Sequence, residues 1–194
     1  MLDLEAPART LQRLADGVAD AQLGAPTPCA GTDVATMLAH LIGLSVAFRD
    51  AARKVQGPTT STPADAAALD LPGDWRPTLA ARLGELVLAW RDPAAWAGET
   101  MAGGVTGPAG QLAAFGNDEL VVHGWDLAVA TGQPYEVAPA NLEAAWQLVS
   151  SVPDDPAARQ GLFGPVVAVP EDAPLLDRVL GGAGRDPGWR PARK

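Results

Sequence analysis

Residues 112–132, LAAFGNDELVVHGWDLAVATG, run without a proline and end on Gly132, a residue that tolerates the left-handed turn closing a helix. The reading is one long helix, capped upstream by Thr106, with Pro108 close to its first turn. Glu119 and His123 stand four residues apart in it. On a helix that spacing brings both side chains to one face about one turn apart, where a carboxylate oxygen and an imidazole nitrogen can reach one metal ion. Asp126 lies three residues beyond His123 and seven beyond Glu119, so it shares their face and is placed to orient a ligand from behind.

The chain of 194 residues holds one other histidine, His40. It falls midway along a second proline-free run, from Val34 to about Lys54. There Val34, Met37, Leu38, Leu41, Leu44, Ala47 and Phe48 line a broad apolar face, with Thr32 or Asp33 as the N-cap. If the two helices pack side by side, His40, Glu119 and His123 meet inside a bundle. Two histidines and one carboxylate suit Zn²⁺ and several other divalent metals and leave coordination positions open, as catalysis requires. Taken singly, each element has a plainer reading: an E-x-x-x-H pair arises by chance, and a histidine on an apolar helix is commonly a hydrogen-bonded core residue.

Leu11, Leu14, Val18 and Ala21 give residues 8–21 the stripe of an amphipathic helix that ends near Gly24 and Pro26. Residues 57–73 read as a loop with one helical turn, and a third helix follows Pro77, carrying Leu79, Leu83, Leu86, Val87 and Trp90 to Asp92-Pro93. The glycine-rich run between Trp96 and Gly110 fits either a short hairpin or a long connection. Another helix covers 138–151 with Leu142, Ala145, Trp146 and Val149 inward. Beyond it come FGPVVAVP (163–170), a brief helix in DAPLLDRVLG (172–181), and a loose basic tail, GRDPGWRPARK (184–194). The fold class is all-α, a four-helix bundle over residues 1–152 with a short, mostly irregular C-terminal extension over 153–194 packed on it.

Composition narrows the function classes. With 14 Lys+Arg against 23 Asp+Glu, the net charge of −9 argues against nucleic acid and anionic membranes as partners. Charged and polar residues interrupt the apolar stretches short of a membrane span, and the N-terminus MLDLEAPART is acidic where a signal peptide is basic. A cytoplasmic protein, monomer or homodimer, is expected. The lone Cys29 precludes an internal disulfide; it precedes a helix, yet reads as a small buried hydrophobe before it reads as a nucleophile. No G-x-S-x-G supports a serine triad. Among the six tryptophans, Trp90 and Trp146 are expected in the core and Trp125 behind the metal ligands.

TPCAGTDVATMLAHLIG (27–43) resembles the T-P-C-x-x-W-x-V-x-x-L-L-A-H-L signature, and NDELVVHGWDLAVATGQ (117–133) is similar to E-L-x-x-H-x-W-D-L-A-x-A-T-G. Both signatures belong to the mycothiol-dependent maleylpyruvate isomerase family, within the wider DinB-like metal-binding four-helix bundles. GLFGPVVAVPEDAPLLDRVLGGAGRDPGW also resembles the ending of an actinobacterial branch of that family. The resemblance implies a metal, usually zinc, held by His40, Glu119 and His123. It further implies mycothiol as a cosubstrate held as a thiolate, and a small electrophilic substrate that is isomerised or conjugated. Two features depart from the pattern. Thr32 stands where the signature has tryptophan, and residues 153–194 replace a separate C-terminal domain that serves the characterised isomerase, so metal and thiol chemistry is expected ahead of maleylpyruvate itself. The competing class is a non-catalytic bundle acting in sequestration or protein interaction. FGPVVAVP and the glycine-rich run 103–110 are the segments suited to cover the metal.

Overall fold

A computed structural model describes residues 1–62 and 70–191 of the chain. Helices α1 (Glu5–Asp16), α2 (Val34–Ala52), α4 (Trp75–Trp90) and α5 (Ala109–Thr131) form the bundle, with a single-turn α3 (Pro58–Ser61) after α2. Strands β1 (Glu99–Ala102) and β2 (Val105–Pro108) pair antiparallel before α5. Then follow α6 (Pro139–Ser151), the short α7 (Pro156–Arg159) and α8 (Leu175–Gly182). The middle of the expected 57–73 loop and the last three residues of the basic tail lie outside the described residues.

Local chemistry sets the two helices that matter most. The Asp33 backbone is extended and its carboxylate accepts the Thr36 N–H at 2.8 Å, satisfying one of the orphan donors at the start of α2. At the far end of α5, Gly132 takes a φ of 72° and the Gln133 N–H returns to the Ala128 carbonyl at 2.8 Å. Leu11, Leu14, Leu38, Leu41, Leu79, Leu86, Leu120 and Leu127 are fully buried between α1, α2, α4 and α5. α5 is also covered on its other side. Val121 and Val122 join Ala145 and Val149 of α6 and Val179 and Ala183 in and just after α8 in a second apolar cluster, which seats the C-terminal segment on the bundle.

Several expectations are corrected, and the alternative left open for the glycine-rich run is decided. Thr106 does not cap α5: it is a residue of β2 paired with Met101, and Pro108 occupies the cap position. The glycine-rich run is a hairpin turned by Gly103 and Gly104, whose φ values of 59° and 80° are open to glycine at little steric cost. The first helix begins and ends earlier than its stripe suggested, and Asp20–Gln22 form a separate 3-10 turn. α2 passes as a membrane span by length and mean hydropathy of 1.3, contrary to the expectation that polar residues break it; its apolar side chains serve the bundle, where more than half of them are buried. Trp90 is buried as expected, but Trp146 is half-buried beneath the Arg178 guanidinium, 4.2 Å from its ring centre.

FGPVVAVP forms no strand ladder. The Val167 N–H donates to the Gly181 carbonyl at 3.0 Å, and a Cβ on Gly181 would lie 2.6 Å from the Val167 oxygen. Gly184, at a φ of 80°, brings the Gly164 backbone within 2.7 Å of the place its own Cβ would take. Two glycines thus permit the close approach that holds residues 163–169 on the end of α8. Gly181→Ala is expected to retain the helical circular dichroism of the bundle while exposing residues 160–170 to limited proteolysis, with a loss of roughly 1–3 kcal/mol of stability by chemical denaturation.

Candidate metal centre

α2 delivers His40 and α5 delivers Glu119 and His123 to one point. Their ligand atoms all lie within 4.8 Å of one another. Glu119 Oε2 is 3.4 Å from His40 Nε2 and 3.0 Å from His123 Nε2, and the two imidazole rings stand edge to face with centres 5.0 Å apart. Ligands bound tetrahedrally at about 2.1 Å from a metal are roughly 3.4 Å from each other, so the cluster matches the donor set of a small divalent cation without rearrangement of either helix. The three residues selected in the sequence are therefore brought together.

Asp126 stands behind His123. Its Oδ2 lies 2.9 Å from His123 Nδ1, and the carboxylate, fully buried, also accepts from Arg185 Nε and Nη2 at 3.2 Å. An Nδ1–H donated to Asp126 leaves Nε2 as the nitrogen that faces Glu119, which fixes the imidazole in the orientation a ligand needs. Burial disfavours the charged form of His123, but Asp126 and Glu119 outweigh it and push its pKa up to about 10. Glu119 shows the converse: burial raises its pKa, yet His123 and His40 pull it well below the usual carboxylate range.

Three features escaped the sequence reading. Arg185, from the supposedly loose tail, is nearly buried against Asp126 and donates from Nη1 to the Ala183 carbonyl at 3.1 Å. Asp118, the neighbour of Glu119, is buried with no hydrogen-bond partner for its Oδ1, and burial followed by the Glu119 charge pushes its carboxyl up to about 8. Cys29, half-buried beside the core, brings its sulfur within 4.8 Å of donor atoms of both His123 and Asp126. Nothing in residue spacing ties positions 29 and 185 to a helix ninety residues away from one of them and fifty from the other. Asp118 had a signal available: an acid next to a ligand, on the side of α5 that Val122 shares.

A small pocket of about 30 Å³ opens beside the cluster, lined by Asp118, Glu119, Val122 and His123 on α5 and by Leu162, Phe163, Ala183 and Arg185 from the C-terminal segment. Of the two segments expected to cover the site, the C-terminal one contributes its first residue, Phe163, to the wall. The hairpin lies elsewhere, joined through Thr100 to the Ala51 carbonyl near the end of α2 and through Gly104 to Thr60. Thr32, in the place of the signature tryptophan, closes a turn instead, its carbonyl accepting from the Thr27 amide and hydroxyl.

Fold and site together define a helical bundle with a His–Glu–His donor cluster where two of its helices meet. The chain belongs to the family described as the mycothiol maleylpyruvate isomerase N-terminal domain, whose profile matches residues 4–128, about two-thirds of the chain. Among solved structures, it is similar to a crystal structure of the mycothiol-dependent maleylpyruvate isomerase, with a TM-score of 0.68 and 18% identity over 95% of this chain and 88% of that one. A mutant of that isomerase, with one histidine changed to alanine, gives 0.67 and 17% over 94% and 86%. These likenesses establish the DinB-like helical fold, and their coverage reaches past the bundle into residues 153–194. No curated protein matches by sequence.

Asp126→Asn is expected to lower zinc affinity about 10- to 100-fold in a chromophoric chelator competition, while His123→Ala abolishes stoichiometric binding. Unchanged affinity in Asp126→Asn would remove the orienting role assigned to the carboxylate.

Proposed function

We propose that this protein is a cytoplasmic, metal-dependent enzyme that uses a low-molecular-weight thiol, mycothiol, to isomerise or conjugate a small electrophilic substrate. His40, Glu119 and His123 would hold the cation, for which zinc is the best match. The observation that carries the reading is the convergence of three ligand atoms from two helices within 4.8 Å, with Asp126 fixing one of the imidazoles. Family membership supports the thiol and an isomerase-like activity.

When bound, such a cation favours the deprotonated form of a thiol and leaves coordination positions open for it. The chain's own residues supply the setting. Val122, Leu162, Phe163 and Ala183 form an apolar wall next to Glu119 and His123, limiting the water that would solvate and blunt a sulfur nucleophile. Arg185 lines the same pocket and places a fixed positive charge beside the reacting groups.

Addition of the thiolate to an electron-poor alkene forms a carbon–sulfur bond and moves the electron pair onto the conjugated carbonyl oxygen. Rotation about the former double bond, followed by cleavage of the carbon–sulfur bond, returns the thiolate and the isomer. Protonation of the adjacent carbon retains the sulfur and gives a conjugate. The same pocket serves either outcome, and the fate of one adduct separates them.

Purified protein supplied with zinc, mycothiol and a cis-enoyl or other electrophilic alkene is expected to turn over, to stop on chelation and to recover on zinc addition. His40→Ala, Glu119→Gln and His123→Ala are expected to lose both the metal and the turnover. Metal-independent turnover, or full activity in His123→Ala, would overturn the proposal.

A further inference from the structure

Burying a carboxyl without a partner is costly, and Asp118 is placed where that cost is hard to explain by packing. The residue is 5% exposed, its Oδ1 has no hydrogen-bond partner, and it lines the pocket beside Glu119 and His123. It is not a further ligand of the cluster. Adjacent positions on a helix diverge by about 100°, and Asp118 falls outside the group of donors that converge on one point. Its neighbour on the same face is Val122, one turn on, so the carboxyl looks toward the C-terminal segment.

Arg185 lines the same pocket, and its Nε, Nη1 and Nη2 are engaged by Asp126 and Ala183 through one N–H each. One N–H on Nη1 and one on Nη2 remain without a partner among the described residues. The pocket is therefore lined by an oxygen acceptor and by a guanidinium with N–H groups to spare, beside apolar side chains from Val122, Leu162 and Phe163. A carboxyl keeps an acceptor oxygen in either protonation state, so this pairing does not depend on its charge.

We propose that Asp118 is a specificity-determining residue for the thiol cosubstrate, accepting a hydrogen bond from an amide N–H carried a few bonds from the sulfur while Arg185 faces the amide carbonyl. An amide is the group of matching chemistry, since its N–H donor and carbonyl acceptor lie close together. The assignment rests on the thiol-using reading above. It adds that the site distinguishes thiols by a polar group away from sulfur, and that an orphaned acceptor is kept in the free protein to do so.

The test uses two isosteric probes, N-methyl-3-mercaptopropionamide and methyl 3-mercaptopropionate, which differ in the N–H that Asp118 would accept. Each is titrated calorimetrically into the zinc-loaded protein. The wild type is expected to prefer the amide about tenfold, and Asp118→Ala and Asp118→Leu to reduce that preference to within about twofold, with zinc still bound one to one.

Thermal unfolding of the metal-free protein supplies a second readout. Relief of an unpartnered buried carboxyl is expected to raise the Tm of Asp118→Leu above that of the wild type. Asp118→Asn, which retains a carbonyl acceptor and the side-chain shape, is expected to keep part of the preference and serves if the larger changes do not fold. A preference unaltered in all folded variants, or no preference in a wild type that binds both thiols, overturns the assignment and leaves the thiol reading standing. A wild type that binds neither thiol overturns both.

Discussion

The buried pairing of Asp126 with Arg185 and His123 is the interaction on which the rest of the site depends. A carboxylate with no exposure to water would be strongly disfavoured alone. Here it accepts from a guanidinium and from an imidazole, so one charge is compensated and its remaining lone pairs are used. The consequence reaches in two directions. Toward the bundle, the pairing sets the tautomer and the angle of His123. Toward the C-terminus, it ties a residue fifty-nine positions away to α5 and so makes the extension part of the site.

That tie explains why the C-terminal segment is ordered despite its irregular backbone. Arg185 follows α8, and α8 reaches α6 and α5 through Val179 and Ala183. The extended run before it is held to the end of α8 by a backbone bond from Val167 to Gly181 and by close contact of Gly164 with Gly184. Arg159 adds to this, donating to the carbonyls of Gly164 and Gly182 from a buried position. Each contact is modest, but they act on the same short stretch. Together they fix Leu162 and Phe163 as the outer wall of the pocket.

How much of this was legible in the sequence follows from the range of the forces involved. Helix periodicity is local, so α2, α4, α5 and α6 could be read to within a few residues, and the E-x-x-x-H spacing put two donors on one face. His40 could be joined to them because only two histidines exist and both fell on long apolar helices. Thr106 misled because a threonine before a proline carries the same signal at a helix start and at a strand end; pairing with Met101 decided it, and pairing is a tertiary fact. Arg185 was invisible for a similar reason. In GGAGRDPG nothing distinguishes a solvated arginine from one that is nearly buried against a carboxylate, because the difference lies in where the chain folds back.

The charges at the centre carry one further consequence. Glu119 and Asp126 are anionic and Arg185 is cationic, which leaves one negative charge uncompensated in a half-buried cluster. A proton on His123 cancels it, and the high pKa of that imidazole is the form this cancellation takes in the absence of a metal. A divalent cation at the proposed position would displace that proton and carry the cluster to one net positive charge. Burial then favours the binding of a single anion and opposes a second. A thiolate would meet that condition, in competition with hydroxide and small carboxylates. With the proposed cation bound, the electrostatic balance of Glu119, Asp126 and Arg185 would favour a monoanionic ligand. It also implies that removing the Arg185 charge would shift a cation-loaded cluster to neutrality and weaken its hold on a thiolate, while leaving the buried Asp126 carboxylate with His123 as its remaining side-chain partner.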